Sequence, residues 1–368
     1  MKQLMVFISL FLSSSVLANN CDWPQWQTFK SVYIEQGRVV DGSDSRYITT
    51  SEGQSYALFF ALVANDKQAF SHVLSWTQQH LAGGDLTAQL PAWLWGKRSN
   101  GQWGVLDNNP ASDSDLWIAY SLIEAGRLWD NYYYQSLGYL LASRILREET
   151  VTQTNGEVLL LPAPHGFETK AGYRVNPSYV PLQLIARMHT LFPHQPWDSL
   201  YQSSLNMLVN TMPAGFSPDW ALESNGEYKV DPETGPIGSY NAIRTYLWAG
   251  MLDDGVMHKS ELVSAMQPFI KATRVLGGPP REVDTQTGKY SKVGSAGFSA
   301  AALPLIDATN NPDLLKQQAT RASSTLVSDS NDHYYDNVLA LFGLGWNEGR
   351  YRFGLNGELS PAWGESCQ

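Results

Sequence analysis

The sequence predicts an all-α fold, an (α/α)6 barrel in which six inner helices stand inside six outer ones. Two observations predict it. Helical segments follow one another in pairs along the chain, and nearly all-apolar segments alternate with segments apolar on one face only. A helix apolar all round must be surrounded by protein, whereas a one-sided helix turns its other face to water. Strict alternation of the two kinds describes a ring within a ring. Strand signals are sparse, confined to short pieces such as 158–161 that could form a small hairpin.

Residues 23–34 carry Trp23, Trp26, Phe29 and Val32 at three-residue spacing and form the first helix. The turn residues Asp41-Gly42-Ser43-Asp44 then lead to a nearly all-apolar helix over 52–64. Its partner over 66–81 is amphipathic, with Phe70, Val73, Leu74 and Trp76 on one face. The later pairs are 115–129 with 132–147, 178–191 with 197–212, 240–252 with 260–276, and 299–306 with 312–327. A helix over 337–344 completes twelve. Outer helices bring the chain back each time, so all inner N-termini open on one face.

Those N-termini carry the informative residues. Ser51 with Gln54 three residues on spells a capping box, which makes Glu52 the first helical residue. The second inner helix repeats the arrangement with Ser112 as cap and Asp113 after it. The third opens Asn176-Pro177-Ser178-Tyr179, an Asn cap with Pro at the first position. The fourth opens Gly238-Ser239-Tyr240-Asn241 and continues to Arg244. Two carboxylates, a tyrosine, an amide and an arginine thus converge on one mouth.

Lys2, an apolar stretch over 4–17 and the small residues Val16 and Ala18 read as a signal peptide over 1–18, leaving 19–368 as a single domain without an internal linker. A periplasmic or secreted location is expected. No later run approaches a membrane span. Cys21 and Cys367 lie near the two ends of the mature chain, and a disulfide between them is expected in an oxidising compartment. The formal net charge of -10 and a pI near 5.2 disfavour nucleic acid, anionic membrane and polyanionic ligands. Thirteen Trp and eighteen Tyr supply flat amphipathic rings suited to sugar faces as well as to a core.

Paired carboxylates at the mouth of an aromatic-rich toroid suit glycoside hydrolysis, one protonating the leaving oxygen while the other activates water or attacks. The seven histidines are scattered, without an H-E-x-x-H pair or a Cys cluster, so no metal or other cofactor is expected. A lyase would use Tyr179 and Arg244 against a uronate, which the acidic chain disfavours.

Ser-Glu-Gly-Gln-Ser-Tyr at 51–56, Pro-Ala-Trp-Leu-Trp-Gly-Lys at 91–97 and Ala-Ser-Asp-Ser-Asp-Leu-Trp-Ile-Ala at 111–119 closely resemble glycoside hydrolase family 8. The likeness runs from about residue 23 to 363 and includes Asn-Pro-Ser-Tyr at 176–179, Phe-Ser-Pro-Asp-Trp at 216–220 and Gly-Phe-Ser-Ala-Ala at 297–301. It implies an inverting endo-1,4-β-glucanase of the periplasmic kind that accompanies bacterial cellulose synthase, acting on β-1,4-glucan as a monomer, with the synthase complex as a candidate partner. By the same resemblance Glu52 is the proton donor and Asp113 the second catalytic carboxylate, which grips and distorts the sugar. Tyr179 helps hold the attacking water, and Trp93, Trp95 and Trp117 are candidate sugar platforms.

One position departs from the family pattern. Where close relatives carry the general base in Ser-Tyr-Asp-Ala-x-Arg, this chain has Asn241, and an amide orients water without taking its proton. Two outcomes are open: a weakly active enzyme that Asn241→Asp would improve, or a base recruited from Asp231 or Glu233 in the preceding loop. The alternatives in function are a hydrolase of chitosan or xylan, and a glucan-binding or chain-guiding protein with weak turnover.

Overall fold

The computed structural model describes residues 22–324 and 333–366. Its helices in chain order are α1 (Pro24–Tyr33), α2 (Ser51–Val63), α3 (Lys67–Leu81), α4 (Ser112–Leu128), α5 (Tyr132–Glu148) and α6 (Leu182–Leu191). The chain continues through α7 (Trp197–Asn210), α8 (Ala242–Gly250), α9 (Lys259–Ala265), α10 (Gln267–Leu276), α11 (Ala296–Ala308), α12 (Pro312–Ser323), α13 (Tyr334–Asn347) and a short α14 (Ala362–Ser366). The architecture is the expected (α/α)6 barrel. The inner ring runs α2, α4, α6, α8, α11, α13, and Phe342 of α13 closes it against Tyr56, Phe59 and Phe60 of α2. Helices α3, α5, α7, α9 with α10, α12 and α1 form the outer layer.

Burial explains the alternation. From Gly53 to Val63 every residue of α2 is buried, whereas α3 buries only Ala69, Phe70, Val73, Leu74, Thr77 and Leu81. At the centre Phe59 meets Trp117, Phe342 and Tyr351 with ring centroids 4.9–5.5 Å apart. Inner helices approach closely where side chains are smallest. A Cβ on Gly343 would stand 1.8 Å from the Ala300 carbonyl oxygen, so any larger residue there would force α11 and α13 apart.

Several boundaries differ from expectation for identifiable reasons. The third inner helix is interrupted: Pro177–Tyr179 form a 3-10 turn and α6 begins after Pro181, because the proline disfavours helical geometry in the residue before it. The outer segment over 260–276 is two helices that meet at Met266, just before Pro268. Strands are more numerous than their signals. The hairpin at 158–161 exists, pairing Val158–Leu160 with Thr150–Thr152. A four-stranded sheet joins Glu168–Thr169, Gly172–Val175, Ala221–Ser224 and Glu227–Val230, and a three-stranded one joins Thr49–Thr50, Leu94–Lys97 and Trp103–Asp107. Strands of two to five residues are too short to show a period in sequence.

At the pole away from the inner N-termini, Glu124 of α4 accepts from Arg127, Arg187 and the Leu359 N–H, a network that engages both of its carboxylate oxygens. Trp363 Nε1 donates to the Leu62 carbonyl at 3.0 Å and anchors the C-terminal segment on α2. The expected signal peptide over 1–18 and the Cys21–Cys367 pair lie outside the described residues. Among the described residues no helix is long and apolar enough to cross a membrane.

Candidate active site

The mouth of the barrel is organised by α2 and α4, and both helices start one residue earlier than their caps suggest. Thr50, not Ser51, caps α2 by accepting from the Gly53 N–H at 3.1 Å. Ser51 is released to share a hydrogen bond with Ser114 across the two helices, Oγ to Oγ at 2.6 Å. Gln54 points into the wall instead of back to a cap: it accepts from the Val39 N–H and donates to Thr77. In α4 the capping residue is Ala111 and Ser112 is the first helical residue. Glu52 and Asp113 are therefore both second residues of their helices, so the serine tie holds them in register.

Arg244 from α8 reaches across to both. Its Nη1 donates to Glu52 Oε1 at 3.3 Å, to Asp113 Oδ2 at 3.1 Å and to the Tyr56 hydroxyl at 2.9 Å. Its Nη2 donates to the Ser178 hydroxyl at 3.1 Å and to Asn241 Oδ1 at 2.9 Å. The guanidinium lies over the Tyr179 ring, 5.6 Å from its centroid. Arg244 is only 5% exposed and Asp113 is buried, while Glu52 keeps 22% of its side chain open to solvent. Burial pushes the Asp113 carboxyl well above the usual range, the neighbouring Glu52 charge adds to this, and Arg244 opposes it. The two carboxyls stand within hydrogen-bonding reach of each other and share one cation.

All five sequence-predicted groups at the inner N-termini meet here: Glu52, Asp113, Tyr179, Asn241 and Arg244. The tryptophans separate. Trp93 is half-buried, and its carbonyl accepts from the Ser51 N–H at 2.9 Å, which places it on the rim beside Glu52. Trp95 turns to the outer wall, where it packs on Trp76 of α3 and stacks on Trp103 with Arg38 above it. Trp117 is no platform. It is 1% exposed and packed between Phe59, Trp248 and Phe342, because one helical turn beyond Asp113 points into the barrel axis.

The loop acids are also corrected. Asp231 is buried with both oxygens committed, Oδ1 to Arg174 Nε at 2.9 Å and Oδ2 to Arg174 Nη2 and the Thr234 N–H and hydroxyl. Burial raises its pKa, but these partners together hold it below the usual carboxylate value. Glu233 is 63% exposed and paired to the same Arg174. Both serve to fold the loop, and neither contacts Arg244.

Four site residues escape a reading of single motifs: Tyr56, Ser178, Asp219 and Tyr335. Tyr56 follows Glu52 by one helical turn and could have been found by that spacing. Asp219, from the Phe-Ser-Pro-Asp-Trp stretch, accepts from the backbone N–H groups of Ser239, Asn241 and Ala242. It supplies the cap that α8 lacks in its own sequence. Tyr335 donates to the Tyr240 carbonyl at 2.7 Å, and burial keeps its phenol protonated.

Beneath the site, Asp115 and Glu149 are fully buried with their carboxyls facing one another, and none of their four oxygens has another partner among the described residues. Burial pushes both well above the carboxylate range. The native state therefore binds more protons than the unfolded chain between the ordinary carboxyl values and the raised ones, and stability falls as pH rises through that window. Glu149→Gln, whose amide can donate to Asp115, is expected to flatten this fall. Thermal midpoints of wild type and variant between pH 5 and 9 check it.

The family model for "Glycosyl hydrolases family 8" matches residues 2–349. An endoglucanase of Escherichia coli (strain K12) is 46% identical over 360 residues, covering 97% of this chain and 96% of its own. One from Xanthomonas axonopodis pv. citri (strain 306) is 43% identical, covering 93% and 89%. The crystal structure of an endo-1,4-D-glucanase from Vibrio fischeri ES114 superposes with a TM-score of 0.88 at 53% identity, covering 93% of this chain and 99% of that one.

Proposed function

Since this chain belongs to glycosyl hydrolases family 8, and is a glycoside hydrolase, we propose that it is an endo-1,4-β-glucanase that cuts β-1,4-glucan chains by an inverting acid/base mechanism. The observation that carries the reading is the pairing of Glu52 and Asp113 on one nitrogen of Arg244 at the open mouth of the barrel. The relatives named endoglucanase support the substrate class. Glu52, the more exposed of the two, gives its proton to the leaving glycosidic oxygen. Asp113 is too close to Glu52 to be the second member of an inverting pair, whose carboxyls stand about 6.5–9.5 Å apart to admit water. Its part is to grip the sugar at the cleavage point, with Arg244 and Tyr179 holding that ring and the water. No cofactor takes part in this scheme.

Hydrolysis of carboxymethylcellulose, chitosan and xylan, with NMR of the first anomer released, tests both halves. Activity on the glucan with an α-configured new end is expected. A β-configured end would refute inversion, and preference for chitosan or xylan would refute the substrate. Asn241 favours a second reading, a glucan-holding protein with weak turnover. Tight oligosaccharide binding without hydrolysis would establish it. Export by the 1–18 segment, a periplasmic place beside cellulose synthesis and a monomeric state complete the proposal; cell fractionation and sedimentation test them.

A further inference from the structure

We propose that Asp219 is the general base of this hydrolase, filling the part that the amide of Asn241 cannot play. Asp219 reaches the mouth from the connection between α7 and α8. Its Oδ1 accepts three backbone N–H groups, from Ser239 at 2.9 Å, Asn241 at 3.0 Å and Ala242 at 2.7 Å. That clamp fixes the carboxylate at position 241 itself. It also leaves Oδ2 with no hydrogen-bond partner among the described residues, on a side chain that is partly open to solvent. A held carboxylate with one free oxygen is what a base for water needs.

The placement around Arg244 agrees. Asp113 and Glu52 share Nη1, whereas the side chain of Asn241, whose backbone N–H Asp219 holds, sits on Nη2. Unlike Asp113, Asp219 makes no hydrogen bond to Glu52 among the described residues, and an inverting base must stand off from the acid to admit water. The competing carboxylates are occupied: Asp231 and Glu233 are both tied to Arg174. Burial raises the Asp219 carboxyl, its three N–H partners and Arg244 pull it back, and the upward effect wins, which increases its basicity.

In the step, a water oxygen bonds to the anomeric carbon as its proton passes to Asp219 Oδ2. The bond to the leaving oxygen breaks and takes the proton of Glu52. Asp219 ends protonated and Glu52 ionised, and exchange with solvent restores both. Of the groups facing Asp219, Arg244 keeps its charge, and the Tyr246 and Tyr335 phenols, raised by burial, keep their protons. In this scheme protonation of Asp219 sets the acid limb of the kcat profile.

The inference rests on the hydrolase reading above. The test is Asp219→Asn, which retains an oxygen to cap α8, assayed with circular dichroism and a melting curve to confirm the fold. Its kcat on cellopentaose is expected to fall by at least about 10²-fold with loss of the acid limb. Azide, which attacks without giving up a proton, should restore turnover of β-cellotriosyl fluoride and yield the α-glycosyl azide. Adding Asn241→Asp to Asp219→Asn should also recover activity. Retention of kcat within about threefold overturns the proposal, as does a loss that neither azide nor Asn241→Asp repairs in a folded variant. Equal loss in Asp231→Ala overturns it in favour of the loop. A wild type inactive on every β-1,4-glucan removes the hydrolase reading itself, and the base with it.

Discussion

Glu52→Gln is expected to lower kcat on a soluble β-1,4-glucan by about 10²- to 10⁴-fold or more while leaving the fold and oligosaccharide affinity nearly unchanged. The argument is local. Glutamine keeps the shape of the side chain at the second position of α2, and the Thr50 cap does not involve it. Its amide oxygen can still accept from Arg244 Nη1, where Glu52 Oε1 now accepts at 3.3 Å, and its NH2 can donate to Asp113. What is lost is the transferable proton. Titration calorimetry with cellotetraose alongside initial rates separates the two effects. A variant that keeps most of its turnover would remove Glu52 from the mechanism, and one that also loses binding would show that the carboxyl holds the ground state.

Replacing Arg244 should have the second large effect, and on stability as well as rate. In Arg244→Met two carboxyls, a phenol, a hydroxyl and an amide oxygen lose their common donor in a site where Arg244 is 5% exposed. Removing one partner of a buried charge cluster typically costs about 3–5 kcal/mol. The carboxyls can relieve part of this by taking up a further proton, since Asp113 is already pushed upward by burial. The deficit should therefore be largest at high pH, where that proton is lost, and smallest near pH 5. Arg244→Lys restores charge but not the two-sided fork, so it should recover stability more than activity. Denaturant midpoints at two pH values, with kcat from the same preparations, decide this. A loss equal at both pH values would refute the charge argument.

The aromatic residues show how far composition could be read. Their number and the apolar runs identified a buried inner ring, and Phe59 and Phe342 stack where that ring closes. Where each tryptophan would lie was beyond the same reading. Trp93, Trp95 and Trp117 are alike as letters, but one lies on the rim, one on the outer wall and one in the core.

The sequence by itself determined the ring within a ring and the shared direction of its inner helices, because periodic burial is a property of each helix and needs no distant partner. It also determined that Glu52, Asp113, Tyr179, Asn241 and Arg244 gather at one mouth, since each is written at a helix start. Tertiary structure alone decided how they are joined. Arg244 binds Glu52 and Asp113 across 192 and 131 positions of chain, and Asp219 caps a helix that begins 23 residues later. The same long-range pairing gave Asp231 and Glu233 to Arg174 and left Asp219 Oδ2 without a hydrogen-bond partner among the described residues. The physical reason is that a hydrogen bond or ion pair depends on distance and desolvation, both created when separate elements pack, and neither leaves a local period in the chain.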